Sequence, residues 1–142
     1  MKFIKIIFLI LLLITIFTGC MDKLYSYNIY FDQNPEINIL SKVYDKEIEM
    51  ASIGKMYKSN DKYVVAIKLY GNYDKKLYDT DCFYVSGGNL YRGSIKEETD
   101  EGKPIYFYTK IKGYNSYTEY GIDKLKVKSE KLKKIFKKED EK

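Results

Sequence analysis

Two cysteines, Cys20 and Cys82, and two acidic runs, Asp79-Thr80-Asp81 and Glu97-Glu98-Thr99-Asp100-Glu101, are the residues whose types could do chemistry in this 142-residue chain. There is no histidine. Its absence removes the commonest general base and the commonest zinc ligand, and with them any Ser-His-Asp or Cys-His arrangement. Cys82 as a nucleophile would have Asp79 and Asp81 beside it, and nearby negative charge opposes thiolate formation. A buried strand thiol is the expectation. Calcium needs roughly six to eight oxygens converging from a preset loop, and two local acids do not supply them, so the acidic runs read as solvated loop. No G-x-G-x-x-G, Walker or EF-hand pattern occurs, so neither cofactor nor metal is expected. The chain reads as a non-enzyme. A hydrolase is the alternative, using a carboxylate pair that only spatial proximity would define.

Cys20 has a different setting. Lys2 and Lys5 open the chain, Ile6 to Phe17 is apolar except for Thr15, and Thr18 and Gly19 precede the cysteine. A membrane span needs about 20 apolar residues, so this run is short for one, and it has the length of a secretory h-region with small residues at a cleavage site. Phe17-Thr18-Gly19-Cys20 resembles the lipobox of bacterial lipoproteins, with Phe17 where that family usually has leucine. The resemblance spans only the first 20 residues. It implies that residues 1–19 are a signal peptide, that Cys20 is acylated, and that residues 20–24 are a tether. It further implies an extracytoplasmic domain lipid-anchored to a bacterial membrane, either the cell membrane or the outer membrane. Each buried CH₂ of an acyl chain contributes about 0.8 kcal/mol, so a multiply acylated cysteine holds a soluble domain stably. An ordinary secreted protein and an uncleaved anchor are the competing readings. Acylation of Cys20 would leave Cys82 without a disulfide partner.

Charge is unevenly placed. The formal charge of +5 falls to +3 once residues 1–19 are removed, and residues 124–142 alone carry a local +5. Residues 20–123 carry −2. Basicity therefore belongs to the tail, and no nucleic-acid partner is expected.

The elements that must position these residues are mostly of period two. Tyr25, Tyr27, Ile29 and Phe31 alternate with polar neighbours, as do Glu36 to Leu40 and Glu47 to Ile53, with Gly54 marking a bend or bulge. Lys62 to Tyr70 is β-branched and aromatic and is bounded by Ser59-Asn60-Asp61 and Gly71-Asn72. Asp81 to Val85 and Leu90 to Arg92 flank Gly87-Gly88, a hairpin signature. Ile105, Phe107, Thr109 and Ile111 alternate again, and Tyr120, Ile122, Leu125 and Val127 read as a last β segment. Seven or eight such strands predict an all-β domain over residues 25–128. The run from Tyr63 to Tyr91 is similar to the immunoglobulin-like sandwich modules of bacterial lipoproteins, although Gly71-Asn72-Tyr73 departs from their usual small polar pair. That similarity favours an antiparallel β-sandwich, with a small β-barrel as the alternative.

Two features remain for recognition. Tyr114, Tyr117 and Tyr120 sit among Asn115, Ser116 and Thr118, and tyrosine among small polar residues makes good contact surface at low entropic cost. Sheet surface is the competing reading. Residues 129–142 predict a short basic helix or tail: Ser129 caps it, and Leu132, Ile135 and Phe136 share a face. So short a helix needs a surface, either its own domain or anionic lipid beside the anchor. The expected function is a non-enzymatic binding or structural module of the cell envelope, with a protein or cell-surface polymer as partner. An inhibitor or immunity-type protein that blocks an exported enzyme or toxin is the alternative.

Overall fold

Alternation along the chain becomes alternation across a wall. In the computed structural model, which describes residues 1, 3–10, 26–96, 102–106 and 109–140, seven strands close into a barrel. The strands are β1 (Ser26–Phe31), β2 (Lys42–Asp45), β3 (Ile48–Ser59), β4 (Lys62–Leu69), β5 (Asp81–Ser86), β6 (Asn89–Ser94) and β7 (Lys110–Tyr114). In β1, Tyr27, Ile29 and Phe31 are buried while Ser26, Asn28 and Tyr30 are only half-buried, as period two requires. The barrel interior holds Ile29, Phe31, Val43, Val65, Ile67, Phe83, Val85, Leu90 and Ile111, with Leu77 from the β4–β5 connection among them. Residues 3–10 are helical and exposed. Cys20, with the expected cleavage site and tether, lies outside the described residues, as do Glu97–Glu101.

Closure around one ring replaces the two packed sheets of a sandwich. The strand order is β1-β4-β3-β2-β6-β5-β7, returning to β1. Antiparallel pairing builds one half, β1 to β4 to β3 to β2, and also the β5–β6 pair. Three parallel seams join them: β2 with β6, β5 with β7, and β7 with β1. Each joins strands far apart in sequence, so no local turn signal announces it, and the immunoglobulin-like sandwich expected above is not the fold.

Local expectations fare better. Gly87 and Gly88 both have positive φ, +56° and +76°, in the β5–β6 turn, as a primed two-residue hairpin demands. The β3–β4 register slips between Ile53 and Lys55, which puts a bulge at Gly54. Glu36 to Leu40, by contrast, is not a strand. The Asn38 side chain accepts a hydrogen bond from the Leu40 amide at 2.8 Å, and the Ser41 hydroxyl accepts one from the Asn38 amide at 3.0 Å. These local bonds hold a turn where alternation alone predicts extension.

The largest departure is at the C-terminal end. A helix, α2 in chain order after the exposed helix at residues 3–10, runs from Tyr117 to Asp140, 24 residues. Tyr120, Ile122, Leu125 and Val127 are therefore helical rather than a last strand, and the helix begins well before Ser129. Its start is close to a capping box. The Ser116 hydroxyl accepts from the Glu119 amide at 3.2 Å, while the Glu119 carboxylate accepts from the Asn115 amide at 2.9 Å. Ser-x-x-Glu at 116–119 is the signal that sets the boundary.

Candidate functional site

The C-terminal helix lies on β5 and β7 and makes a second, smaller apolar cluster outside the barrel. Cys82, Tyr114 and Tyr120 are its buried members. Gly93 on β6 makes room for the helix: a Cβ there would lie 2.9 Å from the Tyr120 ring. The Tyr120 hydroxyl donates to the Ser94 carbonyl at 3.0 Å, and the Tyr114 hydroxyl donates to Asp123 at 3.1 Å, where Lys112 also donates at 2.7 Å. Burial pushes the Tyr114 phenol up, and its bond to Asp123 adds to that. Of the three tyrosines predicted to form one contact loop, Tyr114 and Tyr120 therefore lie in the seam between barrel and helix. Tyr117 is 62% exposed.

Cys82 is fully buried in that seam. Loss of hydration pushes its thiol up to about 12, and Asp81 pushes in the same direction. In a Cys20→Ala chain, we expect an aromatic disulfide reagent to leave the folded protein unmodified at pH 8 and to titrate one thiol after unfolding in urea. Rapid modification of the folded chain would contradict this burial.

A ladder of rings leads away from the seam. Tyr84 stacks on Tyr120 at 4.9 Å between centroids, meets Tyr117 edge-on at 5.2 Å, and stacks on Tyr91 at 5.7 Å. Tyr91 in turn stacks on Tyr44 at 5.3 Å. The strands explain the order: Tyr84 pairs with Tyr91 across β5–β6, and Tyr44 with Tyr91 across β2–β6. Val43, Phe83, Val85 and Leu90 face the core, so the tyrosines next to them face outward by pleating. Tyr44, Tyr84 and Tyr91 are each half-buried. The four rings, Tyr44, Tyr91, Tyr84 and Tyr117, thus form one partly exposed aromatic face. The first three come from three separate strands, so nothing in the linear sequence groups them.

Beneath one end of this face is a buried charge cluster. Arg92 Nη2 donates to Asp81 at 2.5 Å and to the Lys76 carbonyl at 3.0 Å, while Nη1 donates to the Tyr73 hydroxyl at 2.6 Å and stands 3.5 Å from Asp45. Asp45 also accepts from Tyr73 at 2.9 Å and Lys75 at 3.0 Å. Burial alone would raise Asp45, but the bonds from Lys75 and Tyr73 and the charge of Arg92 outweigh it and hold the carboxyl below its usual range. Burial, with the bond to Asp45, pushes the Tyr73 phenol up to about 12. Arg92, Tyr73 and Lys75 each donate to an acceptor within the cluster, which acts as a latch. It ties β2, the β4–β5 connection, β5 and β6 together at the β2–β6 seam, where only two residue pairs are in register. One sequence signal marks it: Arg92 is the sole arginine among 25 basic residues. A planar fork reaching two carboxylates is what lysine does not provide.

Past Tyr120 the helix stands off this end of the barrel and leaves a crevice of about 640 Å³. Arg92 and Gly93 line one side, and Lys124, Val127 and Lys131 line the other. Lys128 and Lys131 at this rim already have interaction partners. Among the described residues, no group of three or more Cys, Asp or Glu is placed to hold a metal ion. No protein-family model matches the chain, and no curated protein matches it in sequence.

Proposed function

We propose that this chain is a lipid-anchored binding module of the bacterial cell envelope. Acylated Cys20 holds it at the membrane, and the outward tyrosine face contacts its partner. The observation that carries this reading is the continuous row Tyr44–Tyr91–Tyr84–Tyr117, half-exposed and fixed on three neighbouring strands and the helix start. Rings locked by stacking lose little entropy on binding, and a stacked row offers a partner its apolar ring edges and hydroxyls. Burial pushes the Tyr84 phenol up, so it is neutral and able to donate at physiological pH. Such a face suits a saccharide polymer or an extended protein segment better than a small polar metabolite.

The test is sedimentation of the full chain, kept in detergent, with bacterial envelopes stripped of lipid, so that the N-terminal apolar segment cannot carry it down. Tyr91→Ala removes the ring stacked on both sides and should weaken binding on the order of 30-fold, the scale of an interface hot spot. Tyr106→Ala is the control, because Tyr106 is 76% exposed and stands outside the ladder. Protease treatment of the envelopes separates a protein partner from a glycan. Wild-type sedimentation by a folded Tyr91→Ala chain would end this reading. A single exported enzyme captured stoichiometrically through Tyr91 would turn it toward an inhibitor.

A further inference from the structure

The C-terminal helix meets the barrel through its first turns, and from Lys124 to Lys138 every residue is exposed. This exposed length is not polar all round. Leu125 is 68% exposed, Leu132 46%, Ile135 48% and Phe136 63%. Leu125, Leu132 and Phe136 are seven and four residues apart, so they share one side of the helix with Ile135, and Ser129 lies between them. Around this stripe the same segment carries eight lysines and a single acid, Glu130, a net +7 that the acidic end Glu139-Asp140-Glu141 offsets only at the tip.

We propose that this helix lies along an anionic lipid surface, with the four apolar side chains below the headgroups and the lysines among the phosphates. Charge selects this occupant over the other two the chain offers. A second copy would set one +7 segment against another, and the N-terminal stretch carries Lys2 and Lys5 and no acid, so it too repels the helix. Anionic headgroups match both the stripe and its sign. No helix among the described residues is long and apolar enough to cross a membrane, so the geometry is one of lying on the surface. The contact is a second hold on the membrane beside Cys20, and one that orients the barrel. It does not depend on the tyrosine face binding anything.

The experiment reads the helix rather than the whole chain, because the N-terminal apolar segment would bring the protein to any bilayer. The full chain carries Cys20→Ser and Ser129→Cys. An environment-sensitive fluorophore is attached to the thiol introduced at position 129, while buried Cys82 stays unlabelled. Vesicles of phosphatidylcholine, alone or mixed with phosphatidylglycerol, carry a quencher in the upper acyl chain. Quenching is expected in the anionic vesicles only and is reversed by high salt. Replacing Lys133, Lys134 and Lys137 with glutamate should lower the bound-to-free ratio of the helix on the order of 100-fold, from a fewfold effect per lysine. Equal quenching in both vesicles, or none in either, would overturn the proposal. So would a fluorophore already shielded without lipid: dependence on protein concentration would mean a second copy, and independence would mean the N-terminal segment.

Discussion

Replacing Arg92 with methionine should lower the unfolding free energy by about 3–5 kcal/mol, read as a fall in the urea midpoint with an unchanged slope. The Arg92 side chain is only 11% exposed, and the side chains of Asp81 and Asp45 are 6% and 11% exposed. Methionine keeps much of the volume but leaves two buried carboxylates without their shared cation. Asp45 retains Lys75 and Tyr73, while Asp81 retains the Tyr78 amide at 2.7 Å, and neither set replaces the guanidinium. A triple variant, Asp45→Leu with Asp81→Leu and Arg92→Met, separates the cost of a broken pair from the worth of the pair itself. It should recover most of the loss, because a buried ion cluster and an apolar one of similar volume are often close in stability. A triple variant as unstable as Arg92→Met would point to packing around the arginine stem instead.

Acid strengthens the same argument. The folded-state pKa of Asp45 lies below its unfolded value, so the unfolded chain binds more protons in that range. The contribution of Asp45 is therefore complete above the unfolded value, about 3.9, and is lost as pH falls through the folded value. In Arg92→Met one of the influences holding that pKa down is gone. The gap between its folded and unfolded values then narrows, so the share of the acid-induced loss of stability that belongs to Asp45 should be smaller in Arg92→Met than in the wild type.

How much of this was legible from sequence depends on whether a feature is local. The Gly87-Gly88 turn and the Gly54 bulge are determined by residues within a few positions, and both occur where composition puts them. Barrel closure depends on β2 meeting β6 and on β7 meeting both β1 and β5, long-range pairings that leave no periodic trace. The aromatic face is illegible for the same reason, since Tyr44 and Tyr91 become neighbours only through that closure. The helix is a different case. Tyr117, Tyr120, Lys124 and Val127 already have helical spacing, and Ser116 and Glu119 already form the start signal. Apolar residues at 120, 122, 125 and 127 fit alternation in places and obscured the longer period.

Short seams hold β7 on both sides, and Gly113→Ala should strongly destabilise the barrel. Only three residue pairs hold β7 to β1 and three hold it to β5. Side-chain packing across these seams must therefore supply what a longer ladder would. Gly113 is buried, and a Cβ built there would lie 2.5 to 2.7 Å from three atoms of the Phe31 ring, itself fully buried. The ring occupies the space a side chain would need, so the glycine is required by volume rather than by backbone angle. Something must move, and both neighbours are closely packed. Overpacking of this kind costs about 1–3 kcal/mol, with Gly113→Val well beyond Gly113→Ala. Phe31→Leu tests the cause. Alone it removes ring volume and destabilises the core. Combined with Gly113→Ala it frees space for the new methyl, so the pair should be less destabilised than the sum of the singles by at least about 1 kcal/mol. Strict additivity in urea unfolding would show that the alanine acts elsewhere. Because Tyr114 follows Gly113 directly and supports Tyr120 at 5.8 Å, edge to face, a strained β7 should also loosen the helix seat. The expected sign is faster modification of Cys82 in Gly113→Ala, restored toward wild type by Phe31→Leu.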